Sequence, residues 1–206
     1  MDKTRIAVLV SGGGTNLQAL IDAQKNGVLK SGEIVLVISN NAIAYALTRA
    51  AEAGIPALTV TKKDCGGQEP FEDALIAALE EHRIDLIVLA GFMSILSERF
   101  TSRFERRIIN VHPSLIPSFC GKGFYGLKVH EAALAYGVKV TGATVHFVNE
   151  IPDGGRIILQ KAVSILPDDT PQSLQKRVME RAEWVILPEA AELVSSQIQK
   201  EKEYRQ

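Results

Sequence analysis

The chain has 206 residues, enough for one large domain or two small ones and for a substantial buried core. Hydrophobic residues make up 46% and charged residues 23%, ordinary values for a soluble globular protein. The formal net charge of −1, with no block of like charge in the body of the chain, argues against a nucleic-acid or membrane-surface protein that works through a basic face.

Taken in chain order, Arg5–Val10 (RIAVLV) is a short apolar run that reads as a buried strand following directly on the N-terminus, with no signal-peptide core before it. Ser11-Gly12-Gly13-Gly14-Thr15-Asn16 breaks that run, and Leu17–Lys25 resumes with helical spacing until Asn26-Gly27 stops it. Glu33–Ile38 predicts a second strand, Ala42–Ala53 a second helix and Ala57–Val60 a third strand. Phe71–His82 predicts a helix with Leu75, Ile76 and Leu79 on one face, and Asp85–Ala90 a strongly apolar strand ending in Gly91. These strands are continuously apolar rather than alternating, so both faces are covered. A mostly parallel sheet with helices on each side follows.

The second half is less regular. Ser97–Phe104 predicts a short helix, Ile108–His112 a strand, Pro113–Gly126 a loop and Leu127–Tyr136 a helix. Val140–Val148 and Arg156–Val163 read as strands whose connection is too short for a helical crossover, so they are expected to pair antiparallel. Thr170-Pro171 opens a last helix running on toward the end, with Thr as cap and Pro in the first turn. No repeat or linker divides the chain, and a single domain spanning 1–206 is expected. No segment approaches the ~18 apolar residues that cross a bilayer. The two cysteines, Cys65 and Cys120, have neither CxxC nor metal spacing, so free thiols in a cytoplasmic protein are the expectation and a disulfide is unneeded.

The chemistry concentrates at Asn110-Val111-His112-Pro113. Side chains alternate along a strand, so Asn110 and His112 share a face, and Pro113 ends the ladder with the imidazole at its rim. A carboxamide beside an imidazole can bind a carbonyl-like oxygen and move a proton. The glycine loop at 11–16 joins the first strand to the first helix, where free N–H groups suit a phosphate or carboxylate. Thr15 or Asn16 would act there as cap or ligand. The loop is neither GxGxxG nor a P-loop, so it does not say whose phosphate, and a tight turn with a capped helix is its bland alternative.

Asp153, in Pro152-Asp153-Gly154, is on residue type alone a turn residue before it is a partner for His112. His146, inside a predicted strand, reads as a hydrogen-bonded core histidine, and Glu183 beside Trp184 as a solvated charge. Phe92–Leu96, just past a strand's carboxyl end, either lines an apolar ligand slot or plugs the core. No metal site is predicted, because no cluster has ligand spacing.

Four elements then stand in one order: the Gly-Gly-Thr-Asn loop, Gly91-Phe92-Met93-Ser94-Ile95-Leu96, Asn110-Val-His-Pro-Ser-Leu-Ile-Pro117, and Val145-His146-Phe147 followed by Asp153-Gly154-Gly155. Together they closely resemble the phosphoribosylglycinamide formyltransferases of the folate-dependent formyltransferase family, over about Ile6 to Pro188. The fold this resemblance implies is Rossmann-like and doubly wound, with an antiparallel strand near the C-terminal half. Residues ~1–105 would bind the nucleotide, and ~106–206 would supply catalysis and folate contacts.

The activity implied is formyl transfer from 10-formyltetrahydrofolate, the co-substrate, to the glycine amine of glycinamide ribonucleotide in purine biosynthesis. On that resemblance, Asn110, His112 and Asp153 are catalytic, with a protonated His112 kept charged by Asp153. Gly13, Gly14, Thr15, Asn16 and Glu183 bind the ribonucleotide. Met93, Ser94, Ile95 and Leu96, with Asn110, bind the folate. Two positions depart from the family pattern. Ser94 stands where an arginine is common, and Gln68 where a basic residue is common, with Lys62 or Lys63 as substitutes. The Ile116–Pro117 bond is expected to be cis.

The partners expected are these two small molecules, with no nucleic acid and no membrane, on a monomer or homodimer. The rival readings are a 10-formyltetrahydrofolate hydrolase, another formyltransferase such as one acting on methionyl-tRNA, or a nucleotide-binding module without catalysis. The hydrolases usually carry an extra N-terminal domain and the tRNA enzymes a basic C-terminal one, and neither is expected here.

Overall fold

The computed structural model describes residues 2–204. Seven strands form one sheet in the order β3-β2-β1-β4-β5-β6-β7. These are β1 (Thr4–Val10), β2 (Gly32–Ser39), β3 (Ala57–Thr59), β4 (Leu86–Leu89), β5 (Ile108–His112), β6 (Val140–Phe147) and β7 (Ile157–Ser164). The first five run parallel; β6 is antiparallel to β7, as their short connection required, and also to β5, which the sequence did not predict. The arrangement is a Rossmann-like, doubly wound α/β fold.

Alternation along the strands divides the core into two layers. Ile6, Val8 and Val10 face α1 (Thr15–Lys25), α2 (Tyr45–Glu52) and the C-terminal helices, packing with Leu17, Ala46, Leu187 and Val194. Ala7 and Leu9 face the other way, onto Phe71, Leu75 and Phe100 of α4 (Gln68–Glu81) and α5 (Glu98–Arg103). The helix α6 (Leu127–Tyr136) leads into β6. A strand with both faces in a core has no polar side to show, which is why these runs are continuously apolar.

Several boundaries differ from expectation for local reasons. The second helix starts at Tyr45, because Asn41 and Ser39 build a competing turn: Asn41 N–H donates to Ser39 Oγ, and Ile43 N–H to Asn41 Oδ1. A short helix, α3 (Lys62–Cys65), was not foreseen; Thr61 caps it by accepting the Asp64 N–H, and Gly66 ends it in the left-handed region. Thr170 caps the last helical segment with a reciprocal Ser173 bond, as its sequence suggested. That segment is not one helix, however. α7 (Pro171–Val178) gives way to a π turn at Met179–Glu183 before α8 (Trp184–Glu203), which carries Pro188 inside it. Proline lacks the N–H that would bond the Trp184 carbonyl, so the regular ladder is interrupted where the wider turn ends. The expected run to the chain end is described as far as Tyr204, and Arg205 and Gln206 lie outside the described residues. No helix among the described residues is long and apolar enough to cross a membrane.

Candidate active site

The sheet order reverses at β1, which has β2 on one side and β4 on the other, so loops leaving the carboxyl ends of β1 and β4 part to opposite faces. Ligands of open α/β sheets bind in the crevice this opens. One strand further, β5 carries Ile109 and Val111 into the α1–α8 core and turns Ile108, Asn110 and His112 to the opposite face. There the antiparallel register sets His146 directly across from Asn110, and Thr144 across from His112. Asn110 Nδ2 stands 3.2 Å from His146 Nε2, and the His146 Nδ1–H donates to the Phe147 carbonyl at 2.8 Å.

Asp153 reaches the same face from the loop between β6 and β7. It is both the turn residue and the partner of His112, two readings the residue types had set against each other. Its φ of +57° is left-handed, which aspartate tolerates better than most residues, and Gly154 N–H closes the turn on Ile151 O. Gly155 allows the close approach behind it, since a Cβ there would lie 1.7 Å from the Phe147 carbonyl oxygen. The carboxylate so aimed lies 3.5 Å from His112 Nδ1 and 3.6 Å from His146 Nε2. The loop after Pro117 closes the group from outside. The His112 Nε2–H donates to the Phe119 carbonyl at 2.9 Å, and Gly121 N–H donates to Asp153 Oδ2 at 2.8 Å. Phe119 itself holds a left-handed φ of +49°, costly for an aromatic residue. The Ile116–Pro117 bond is cis.

Burial decides the charge on His112. The ring is 4% exposed, and loss of water pushes its pKa below the ordinary histidine value, against the opposing pull of Asp153 and the Phe119 carbonyl. Asp153 does favour the charged form of His112, as expected, but desolvation works against it and is the larger cause. For Asp153 the balance falls the other way. Burial works to raise its pKa, but contact with His146, the His112 ring and the Gly121 N–H together hold it below the usual carboxylate range. Burial thus favours the neutral imidazole, while its contacts favour the ionised form of Asp153.

The glycine loop supplies the second feature. Gly14 is the N-cap of α1 at φ +71°, with no side chain capping the first turn. Neither Thr15 nor Asn16 is the cap, which removes one of the two roles their residue types allowed. No described side chain caps the N–H groups of the first turn, and Gly12 and Gly13 are exposed. Asn16 turns inward, and its Nδ2–H donates to Glu183 Oε2 at 2.8 Å. Glu183 is not a solvated charge but is 6% exposed on the π turn, and burial raises its pKa despite the Asn16 bond. Arg49 braces the loop, its Nε–H donating to the Gly13 carbonyl at 2.8 Å.

The third feature is a cleft lined by Phe92, Ser94, Ile95 and Leu96 on one wall and by Asn110, His146 and the 148–153 segment on the other. Leu96 is buried in the α4–α5 core, whereas Ile95 is exposed, so this run both plugs and lines. Met93 stands on the rim, exposed, with its N–H on Ser11 Oγ at 2.8 Å. Ser94 accepts from Asn40 Nδ2 at 2.7 Å, and Gln68 donates to the Ile95 carbonyl at 3.0 Å. The two positions that depart from the family pattern are thus tied into the cleft wall. Both cysteines are free thiols, and among the described residues no cluster of three His, Cys, Asp or Glu side chains is placed to hold a metal.

Sequence reasoning missed His146 as a neighbour of the site and missed the Phe119 and Gly121 backbone contacts. The histidine was within reach once β5 and β6 are paired in register. The backbone groups carry no side-chain signature at all.

Residues 4–191 match the formyl transferase family, and the chain belongs to it. Among curated proteins it is 44% identical over 184 residues to the phosphoribosylglycinamide formyltransferase of Haemophilus influenzae, covering 89% of this chain and 84% of that one. It is 46% identical over 195 residues to the trifunctional purine biosynthetic protein adenosine-3 of Gallus gallus, covering 95% of this chain but 19% of that much longer protein. The crystal structure of glycinamide ribonucleotide transformylase 1 from Symbiobacterium toebii superposes with a TM-score of 0.88 at 42% identity, covering 95% of this chain and 89% of that one. Within the family, the chain groups with the phosphoribosylglycinamide formyltransferases.

Proposed function

We propose that the protein transfers the formyl group of 10-formyltetrahydrofolate to the glycine amine of glycinamide ribonucleotide in purine biosynthesis. The observation that carries this reading is the convergence of Asp153 on His112, with Asn110 beside it, between an anion-suited helix terminus and an apolar cleft. The N–H groups at Gly13, Gly14, Thr15 and Asn16 take the nucleotide phosphate, and Glu183 the ribose. Ser94, Ile95 and Leu96 flank the pterin, with Met93 at the rim. The first half of the chain thus serves chiefly the nucleotide, and the second half supplies the catalytic groups.

The amine attacks the formyl carbon and a tetrahedral oxyanion forms. Asn110 N–H donates to that oxygen, replacing water with a fixed dipole. His112, neutral at rest, accepts the proton released by the attacking nitrogen, directly or through an ordered water. The resulting imidazolium is held by the Asp153 carboxylate. The proton then passes to the departing folate nitrogen as its bond to carbon breaks, so that no net proton is gained or lost. Proximity of the two substrates in one crevice contributes much of the rate. To accept at Nε2, the neutral ring must carry its own proton on Nδ1, toward Asp153, with Nε2 free of the Phe119 carbonyl, so the 118–121 segment withdraws as substrate enters.

The test is purified protein mixed with glycinamide ribonucleotide and 10-formyltetrahydrofolate, following folate release and formylated product. Release that requires the nucleotide and matches product one to one is expected. Release indifferent to the nucleotide would make the protein a hydrolase, and no release would make it a binding module.

A further inference from the structure

His146 lies outside the three catalytic groups yet touches two of them. It is 1% exposed and sits directly opposite Asn110 across the β5–β6 pair. Its Nδ1–H is committed to the carbonyl of Phe147 at 2.8 Å. A neutral imidazole with its proton on Nδ1 has only a lone pair at Nε2. That lone pair stands 3.2 Å from Asn110 Nδ2, within reach of an N–H, and 3.6 Å from Asp153 Oδ1, beyond hydrogen-bond length.

The consequence falls on Asn110. A carboxamide presents an oxygen on one side and an NH2 on the other, and the two ends are nearly equal in shape. Which end faces the cleft decides whether the residue stabilises an oxyanion or repels it. We infer that His146 is a positioning residue: its Nδ1-protonated neutral tautomer locks the Asn110 carboxamide with the NH2 toward the reacting group.

One hydrogen of Nδ2 is spent on His146. The other is left for the developing oxyanion, because among the described residues Asn110 makes no second side-chain hydrogen bond. A proton on Nε2 would reverse the logic. His146 would then donate to Asn110 Oδ1 or to Asp153, and the Asn110 lone pairs would confront the negative charge. The Phe147 carbonyl prevents this by holding the proton on the far nitrogen, a form of tautomer control known wherever an imidazole is oriented by a main-chain acceptor. The inference rests on the formyl-transfer reading for its catalytic meaning, but the tautomer itself does not depend on that reading.

Two measurements test it. In protein labelled with 15N-histidine, the signals of His146 are identified among the four histidines by their loss in His146→Gln. The expected pattern at neutral pH is that of a neutral ring protonated at Nδ1. An Nε2-protonated or imidazolium pattern would overturn the lock.

In kinetics, His146→Phe keeps a ring and removes both nitrogens. It is expected to lose about 100-fold in kcat, the scale of one misdirected oxyanion donor, with KM for both substrates within about threefold. His146→Gln, whose carbonyl oxygen accepts the same N–H, is expected to recover at least about tenfold of that loss. A folded His146→Phe with wild-type kcat, or a His146→Gln no better than Phe, would refute the positioning role. Where His146→Phe fails to fold, the tautomer and the Gln variant decide. An Nδ1 pattern in a wild-type protein without formyl transfer would sink the functional reading while leaving the tautomer assignment intact.

Discussion

Asp153→Asn isolates the charge at the centre of the proposed mechanism, because it preserves shape and leaves an oxygen for the Gly121 N–H. Both partners are buried, and the closest atoms are 3.5 Å apart. Opposite unit charges at that separation attract by about 5 kcal/mol at an effective dielectric of ~20. Opposite-charge neighbours shift a pKa by about 1–3 units in practice, or about 1.4–4 kcal/mol. Burial already holds His112 below its ordinary value, so removing the carboxylate lowers it further.

The imidazolium formed during transfer loses that stabilisation, and kcat should fall about 10- to 1,000-fold. KM for the nucleotide should stay within about threefold, since the Asp153 carboxylate contacts His112, His146 and the Gly121 N–H rather than the glycine loop. The pH profile gives the sign: activity needs the neutral base, so the acid limb of kcat should move to lower pH in the variant. Steady-state folate release, measured while each substrate is varied in turn from acid to neutral pH, supplies all three quantities. A kcat within about threefold of wild type, or an acid limb displaced upward, would refute the assignment of His112 as base and Asp153 as its charge partner.

Glu183→Gln should stabilise the protein where the wild-type glutamate would otherwise be ionised. Its folded pKa is raised by burial, so wild-type stability is lost as pH rises above the ordinary carboxylate value, while the amide bears no such penalty. Thermal melting should show a higher Tm for the variant at pH 8, about 2–4 °C for each kcal/mol relieved, a gap that closes in acid, together with a raised KM for the nucleotide. His130→Leu should flatten the acid limb of stability. His130 is fully buried with both ring nitrogens unpaired among the described residues and its pKa is lowered to about 4, so the wild type loses stability as pH falls from about 6.5 to about 4 and the variant does not. Equal slopes for the two proteins in denaturant titrations across that range would contradict this. Gly14→Ala places a Cβ 2.7 Å from that of Ala46 at a φ of +71°. It should cost about 1–3 kcal/mol in chemical denaturation and raise the nucleotide KM, since the loop backbone must shift; an unchanged KM would detach this loop from the nucleotide.

How much of this was readable from residues follows from what each feature is made of. The central strands were found because a sheet covered on both faces demands continuous apolar runs, and the antiparallel β6–β7 pair because its connection is short, whereas the order of the strands was not read from the sequence. Asn110 and His112 were found because proline ends a ladder and alternation is obligatory. Asp153 was ambiguous for a physical reason: the left-handed turn that makes Pro-Asp-Gly commonplace is the same geometry that aims the carboxylate, so local chemistry alone does not separate the two roles. Glu183 was misjudged because its burial depends on a π turn, which periodicity at 3.6 residues does not reveal.

The burial of His112 was not legible in the sequence either. A carboxylate partner was inferred correctly, but burial, a property of the whole fold, outweighs it. In the proposed mechanism, a histidine that starts neutral collects its proton from the reaction itself. The chemistry then selects for a group that holds the charge only while it exists, which is the role the depressed Asp153 pKa suits.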